Sequence, residues 1–335
     1  MSLKNLSAVL IRQKKKLSLL NLDVPELNNG YVLVKMKFAG ICHTQLNEIS
    51  GILGKDKFIP HCMGHEGVGE IIKVGKGVSK FKIGDKVVVS WIRKKDKKIY
   101  GPAFFYYGGK KINTGGCNTL MQYSLVSANR VFKMSQNNKY FRESTLLGCA
   151  LPTASNAILN VAKIKKNSRV LIMGMGGLGY SSLLVLNYIK CKDIVCIDNN
   201  LKRLNLTSKS VNTNFKEIND SNIEKFFKNN YEKFDYVIDC TGSKKLIQKT
   251  HSLCKKFSGK FIIIGNTKIN ERVSLKTWDF IFGKTITGAW GDDGTFMKNF
   301  KLNEKILINQ IKNVKKILPK KNYNISQINT VVNNF

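Results

Sequence analysis

Arg169-Val170-Leu171-Ile172-Met173-Gly174-Met175-Gly176-Gly177-Leu178-Gly179 decides the fold of this chain. A short run of branched apolar residues predicts a buried strand. Glycines end it abruptly, and the apolar stretch from Gly177 to Lys190 predicts a helix. Gly174, Gly176 and Gly179 fit the pattern G-x-G-x-x-G. The first glycine permits the tight turn, the second lets the backbone approach a pyrophosphate, and the third lets helix pack closely on strand. Phosphates would meet the free N–H groups at the helix start, around Gly177 and Leu178. Asp198 closes the next apolar run, Asp193 to Ile197. A carboxylate there can hold both ribose hydroxyls and would repel a 2′-phosphate, which favours NAD over NADP. The bland alternative is that Asp198 caps the following helix.

Towards the C-terminus the same alternation continues. Tyr236 to Asp239 and Lys260 to Gly265 read as strands, with a helical period between them from Lys244 to Lys256. Thr285 to Trp290 is the last predicted strand. Alternating β and α units imply a doubly wound parallel sheet. Towards the N-terminus the pattern is different. Ser7 to Ile11, Lys16 to Leu22, Tyr31 to Phe38, Gly67 to Val74 and Lys86 to Ser90 are short strands broken by glycine turns, as in a small β-barrel. The expected organisation is an α/β chain of two domains: a barrel-like domain over 1–150, completed by 291–335, and a dinucleotide-binding domain over 151–290.

Three fragments of the first domain supply soft metal ligands. They are Gly40-Ile41-Cys42-His43-Thr44, Gly64-His65-Glu66-Gly67-Val68-Gly69 and Leu147-Gly148-Cys149-Ala150. Two thiolates and one imidazole favour Zn²⁺, and three protein ligands leave a fourth position for substrate. Taken singly, Cys42 and Cys149 could be ordinary buried thiols and His65 a satisfied core histidine. Together, ahead of a dinucleotide turn, they point to hydride transfer at a metal-held alcohol or carbonyl.

With these fragments, with Gly84-Asp85-Lys86-Val87, and with Cys149 shortly before the glycine turn, the chain resembles the zinc-dependent medium-chain alcohol and polyol dehydrogenases from about Ala8 to its last residue. The resemblance implies a GroES-like barrel domain beside a Rossmann domain. It also implies one catalytic zinc per chain on Cys42, His65 and Cys149, with Glu66 as a transient ligand. Thr44 would pass the substrate proton, and Trp91 would line the substrate pocket. His43 and Thr153 would contact the cofactor, and Arg203 would add a ribose or adenosine contact that softens the preference for NAD.

The sequence departs from that family in four places. The lobe that often carries four cysteines and a structural zinc is replaced over 91–117 by a basic, aromatic loop containing only Cys117. No second zinc is expected. Gln45 stands where an aspartate often supports the zinc-binding histidine. Asn47 stands where some members end a proton relay with histidine, so Thr44 would pass its proton through cofactor ribose or water. The chain also ends at Phe335, inside what reads as the final helix.

Composition narrows the partners. The 335 residues carry 56 Lys+Arg against 22 Asp+Glu, a formal net charge of +34, with 43% hydrophobic residues. Such a field attracts polyanions. Yet lysine greatly outnumbers arginine, whereas base readers favour arginine forks, so no specific nucleic-acid partner is expected. No apolar run reaches membrane-spanning length, and the basic cluster near Lys16 follows the apolar stretch, so no membrane partner and a cytoplasmic protein are expected. His61 reads as a loop residue and His251 as a structural residue on a helix. The eight cysteines lack the spacing of a disulfide framework. A small-molecule alcohol or sugar is the expected substrate, and a homodimer or homotetramer the expected assembly. Arg93, Lys94, Lys95, Lys97 and Lys98, with Lys110 and Lys111, would favour an anionic polyol or sugar derivative if they face the cleft; facing solvent, they are only compositional. Two further readings stay open: a zinc-free quinone or enone reductase of the same superfamily, and a non-catalytic relative.

Overall fold

A computed structural model describes residues 3–93, 103–136, 138–191, 193–208, 213–218, 221–291 and 296–334. Two compact units emerge. One comprises Met1–Cys149, Phe296–Glu304 and Pro319–Phe335; the other comprises Ala150–Thr295 and Lys305–Leu318.

The first unit opens with β1 (Lys4–Leu10), β2 (Ser18–Asp23) and β3 (Tyr31–Ala39), then a short helix α1 (His43–Ser50). There follow β4 (His61–Cys62), β5 (Glu66–Val74), β6 (Lys86–Ser90), β7 (Phe104–Tyr107), β8 (Lys110–Asn113), β9 (Tyr123–Ser127) and β10 (Val131–Lys133). Strands β1, β2, β7, β8 and β4 close a small barrel, and β10-β6-β5-β3-β9 form a five-stranded antiparallel sheet. Apolar side chains meet inside: Val9, Leu22, Leu33, Phe105 and Leu125 pack in one cluster, and Val32, Val34, Ile71, Val87 and Val89 in another. The first half of β3 is buried on both faces and only its second half alternates. Burial on both faces is why Tyr31 to Val34 read as a continuous apolar run.

The second unit begins with α2 (Ala150–Ser155), β11 (Arg169–Met173), α3 (Gly177–Tyr188), β12 (Asp193–Asp198), α4 (Leu201–Ser208) and β13 (Asn214–Glu217). It continues with α5 (Ile223–Asn229), β14 (Tyr236–Asp239), α6 (Lys244–Thr250), β15 (Lys260–Ile263), α7 (Thr277–Ile281) and β16 (Thr285–Gly288). The chain ends with α8 (Phe296–Asn309), α9 (Ile311–Ile317) and α10 (Ile328–Asn333). The sheet runs β13-β12-β11-β14-β15-β16 and every pairing is parallel. Order reverses between β11 and β14, the point at which such sheets bind ligands outside the strands' carboxyl ends. The fold is thus α/β, a GroES-like barrel unit with a Rossmann-type unit, as the sequence implies. No helix among the described residues is long and apolar enough to cross a membrane.

Several local expectations shift. The stretch read as a basic loop contains the β7–β8 hairpin, turned at Gly108 and Gly109, both at positive φ (53° and 76°). Two glycines between β-forming runs suit such a turn, and Phe105 of the hairpin is fully buried. The helix expected over Lys244 to Lys256 stops at Thr250 and tightens into a 3₁₀ turn, His251–Leu253. His251 is buried there, its Nε2 2.8 Å from Asp279 Oδ2, while Lys284 Nζ reaches Asp279 Oδ1 at 2.8 Å. His61, read as a loop residue, lies on β4 and pairs with Asp56 at 2.8 Å.

Candidate functional site

In the first unit, four side chains that are far apart in sequence converge. Cys42 stands immediately before α1, in extended backbone (φ −96°, ψ 150°). Its N–H donates to Gln45 Oε1 at 2.8 Å, and the Gln45 N–H donates to the Cys42 carbonyl at 3.0 Å. Gln45 therefore fastens the start of α1 around Cys42, using its side chain as a helix cap. Thr44 Oγ1 lies 3.6 Å from Cys42 Sγ.

His65 follows Gly64, whose φ of +100° disfavours any residue with a side chain. A Cβ at Gly64 would overlap Thr119 Oγ1 and lie 2.5 Å from the Leu120 nitrogen. The neighbouring Met63 carbonyl accepts the N–H groups of both Thr119 (3.2 Å) and Leu120 (3.0 Å). This bend sets His65 at the mouth of β5, and Glu66 is that strand's first residue. Cys149 is fixed from another direction. Ser90, at the end of β6, donates its hydroxyl to the Gly148 carbonyl at 2.6 Å. Trp91 follows Ser90, and its carbonyl accepts from Arg130 Nη1.

Sulfur, nitrogen and carboxyl oxygen atoms of Cys42, His65, Glu66 and Cys149 all lie within 4.8 Å of one another. Their electrostatics are strained without a cation. A hydrogen bond from Cys149, aided by the His65 imidazole, draws the Cys42 thiol down to about 3. The same hydrogen bond, with burial, pushes Cys149 up, while Trp91 beside it pulls the other way. Burial opposes charge on His65, but contact with Cys42 and the nearby Glu66 overcome it and raise its pKa. Burial, reinforced by the Cys42 charge, pushes Glu66 up to about 8. Nε2 of His65 is buried with no hydrogen-bond partner. Two thiols, an imidazole with an unpartnered buried nitrogen, and a carboxyl held protonated by burial are what a borderline-soft divalent cation would satisfy. The donor set fits zinc.

In the second unit, the glycine turn is built as its pattern requires. Gly174 is at φ +86° and its N–H donates to the Ile197 carbonyl at 2.8 Å. A Cβ at Gly179 would overlap the Gly174 carbonyl oxygen. At Gly176 an added Cβ would meet nothing within 4 Å, so room remains beside the start of α3. Asp198 Oδ2 accepts the Met175 N–H at 2.6 Å, Oδ1 accepts the Asn200 N–H at 2.8 Å, and Arg203 Nη1 lies 3.9 Å from Oδ2. The carboxylate thus latches the turn to the end of β12 as well as capping the approach to α4. Across the sheet reversal, Asp239 accepts from Thr241 N–H (3.0 Å), Thr241 Oγ1 (2.5 Å) and Gly242 N–H (3.1 Å). Thr241 in turn packs over Gly174, where its Cγ2 would lie 2.8 Å from an added Cβ. This turn also fits a dinucleotide.

The alcohol dehydrogenase GroES-like domain matches residues 28–136. S-(hydroxymethyl)glutathione dehydrogenase of Escherichia coli is 25% identical over 316 residues, covering 86% of this chain and 85% of that one. Residues 28–136 thus form an alcohol dehydrogenase GroES-like domain, and the chain as a whole is similar to alcohol dehydrogenases. Benzyl alcohol dehydrogenase from Acinetobacter calcoaceticus shares its fold with a TM-score of 0.82 at 22% identity, over 99% of this chain and 96% of that one. An alcohol dehydrogenase zinc-binding domain protein from Burkholderia ambifaria does so with a TM-score of 0.85 at 19% identity, over 100% and 96%.

The residues singled out in sequence fall in two groups. Cys42, Thr44, His65, Glu66 and Cys149 gather in the first unit, with Trp91 against Cys149. His43 is exposed at the first position of α1. Gly174, Gly176, Gly177, Leu178, Gly179, Asp198 and Arg203 gather in the second, where Thr153 is buried on α2. Lys110 and Lys111 are exposed on β8, whereas Lys94, Lys95, Lys97 and Lys98 lie outside the described residues. Sequence reasoning missed Asp239, which orders the loop packed on Gly174, and the contacts that Gly40 and Gly148 make with Glu66. Asp239 carried a signal: it ends an apolar strand just before Thr241-Gly242, where a carboxylate can take the loop's free N–H groups. The glycine contacts carried none, because they join segments remote in sequence.

Proposed function

We propose that the chain is a zinc- and NAD-dependent alcohol dehydrogenase acting on a polyol or sugar derivative. Cys42, His65 and Cys149 would hold one zinc ion per chain, with Glu66 as a transient ligand. Bound zinc would supply a Lewis acid that polarises the substrate oxygen, and NAD would supply the hydride acceptor. The chain itself provides position and proton handling. Thr44, whose hydroxyl is 3.6 Å from Cys42 Sγ, is suited to accept the substrate hydroxyl proton. Asn47, one turn along α1, is buried and does not titrate, so the proton would leave through cofactor ribose or water. Trp91, beside Cys149, would form a wall of the substrate site.

On the cofactor side, Gly174, Gly176, Gly177, Leu178 and Gly179 would receive the pyrophosphate, with His43 and Thr153 as further contacts. Asp198 would hold the adenosine ribose and Arg203 would flank it. Residues 1–150 with 291–335 would act as the catalytic domain and 151–290 as the cofactor domain, in a cytoplasmic homodimer or homotetramer.

One observation carries the proposal: the four-residue cluster within 4.8 Å, whose His65 Nε2 is buried without a partner. Metal analysis joined to NAD turnover on a panel of alcohols tests it. One zinc per chain and NAD-linked oxidation are expected. A fully active enzyme free of metal would instead be the enone-reductase type, and a metal-loaded chain inert with every alcohol would be a non-catalytic relative. The substrate class is tested by kcat/KM for ethanol, free polyols and sugar phosphates at low and high salt. Lys110 and Lys111 face solvent and lend an anionic substrate no support; ethanol as the best substrate would refute the polyol or sugar reading.

A further inference from the structure

Glu66 sits in a slot made by two glycines. A Cβ built on Gly40 would lie 2.8 Å from Glu66 Cδ, 2.9 Å from its Cγ and 2.9 Å from its Oε1. A Cβ built on Gly148 would lie 2.7 Å from Glu66 Cβ, 2.9 Å from its Cα and 2.9 Å from the Val89 carbonyl oxygen. The two walls therefore act on different parts of the residue. Gly148 abuts the Glu66 Cα and Cβ and the neighbouring backbone, whereas the atoms nearest to Gly40 are Cγ, Cδ and Oε1 at the outer end of the side chain. The backbone is pinned as well: the Gly40 N–H donates to the Glu66 carbonyl at 3.1 Å, and Glu66 pairs with Ser90 across β5 and β6. The residue is buried, its stem lies against Gly148, and its carboxyl lies beside Cys42, His65 and Cys149, with the ligand atoms within 4.8 Å of one another.

We propose that Gly40 sets the number of protein ligands at this metal site: the missing Cβ is the space into which the Glu66 carboxyl withdraws, leaving a coordination position open. A methyl group there removes the withdrawn position and drives the carboxyl onto the metal. A closed structural site takes four protein ligands and an open catalytic site three, so the choice decides whether an outside ligand can bind. Gly40 acts through Glu66 and is a positioning residue. The inference rests on the zinc reading above.

The test uses full-length protein loaded with Co²⁺, whose absorption reports coordination, with imidazole as the incoming ligand. Wild type is expected to take up one equivalent of cobalt and to change its spectrum on binding imidazole. Gly40→Ala should load cobalt, show an altered d–d spectrum before any addition, and bind imidazole at least tenfold more weakly. The three atoms nearest to the new methyl group all belong to the Glu66 side chain, so Gly40→Ala/Glu66→Ala should recover the spectrum and imidazole affinity of Glu66→Ala. Gly148→Ala/Glu66→Ala should not recover, because the clash with the Val89 carbonyl remains. A Gly40→Ala protein with wild-type spectrum and imidazole binding overturns the proposal. So does a Gly40→Ala/Glu66→Ala protein that does not behave as Glu66→Ala, whether or not the single variant folds. Wild-type protein that takes up no metal refutes the zinc reading itself.

Discussion

Replacing Asp198 by alanine separates the latch seen in the structure from the ribose contact proposed for the same carboxylate. Asp198 is 6% exposed, and its two oxygens accept N–H groups from Met175 and Asn200. Met175 is 4% exposed, so its N–H would be left buried without an acceptor, at a cost of roughly 1–3 kcal/mol. Asn200 is exposed and would regain water. The expected loss of about 1–3 kcal/mol corresponds to a fall in Tm of roughly 2–12 °C for a domain of this size, measured without cofactor. Asp198→Asn should lose less, since one oxygen still accepts.

Cofactor affinity reports the second role. A charged acceptor on a ribose hydroxyl is worth about 1.5–3 kcal/mol, so NADH should bind Asp198→Ala about 10- to 100-fold more weakly. NADPH should weaken less or improve, because the repelling carboxylate is gone while the positive charge of Arg203, whose Nη1 lies 3.9 Å from Asp198 Oδ2, remains. Fluorescence titration with both reduced cofactors gives the two Kd values. An unchanged NADH-to-NADPH ratio refutes the ribose assignment, and a Tm within about 1 °C of wild type refutes the latch between Met175 and β12. Wild type that prefers NADPH removes the basis for the NAD assignment.

Cys149→Ala should abolish zinc retention and turnover while far-UV circular dichroism stays unchanged, because the cysteine follows a Gly148 carbonyl anchored independently by Ser90; two zinc ions per wild-type chain by elemental analysis would contradict the single site. Gly179→Ala should lose dinucleotide binding and about 3 kcal/mol of stability, since the new Cβ overlaps the Gly174 carbonyl; normal NADH titration of that variant would show that the turn is built otherwise. In metal-free protein, Glu66 titrates from 4.5 unfolded to about 8 folded. The folded state then holds the extra proton between those values, so this group's contribution is present at low pH and lost as pH rises through the window, by up to about 1.4 kcal/mol per pH unit. Urea unfolding at pH 5 and pH 8 should show that slope in wild type and its loss in Glu66→Gln; equal slopes in the two proteins would rule it out.

What could be read in the sequence was whatever depends on local spacing. The run Arg169 to Gly179 specified strand, turn and helix, because positive φ at Gly174 and close packing at Gly179 can each be met by very few residues. The parallel pairing of the sheet followed from the strand–helix alternation. The candidate metal ligands were recognisable as a set only because each carries its own small context: a helix start after Cys42, a forced bend before His65, an anchored carbonyl before Cys149. What was not readable depends on segments meeting from afar. Gln45 looked like a missing carboxylate, yet it is the residue that fixes the Cys42 backbone. The β7–β8 hairpin was hidden because Tyr106, Tyr107, Lys110 and Lys111 face solvent, and only Phe105 and Ile112 carry the core signal of a strand pair. Gly40 and Gly148 looked like motif glycines, and nothing near them in sequence says that both press on Glu66. The candidate ligands are therefore legible locally, whereas the space around Glu66 is set by packing between three remote strands and loops.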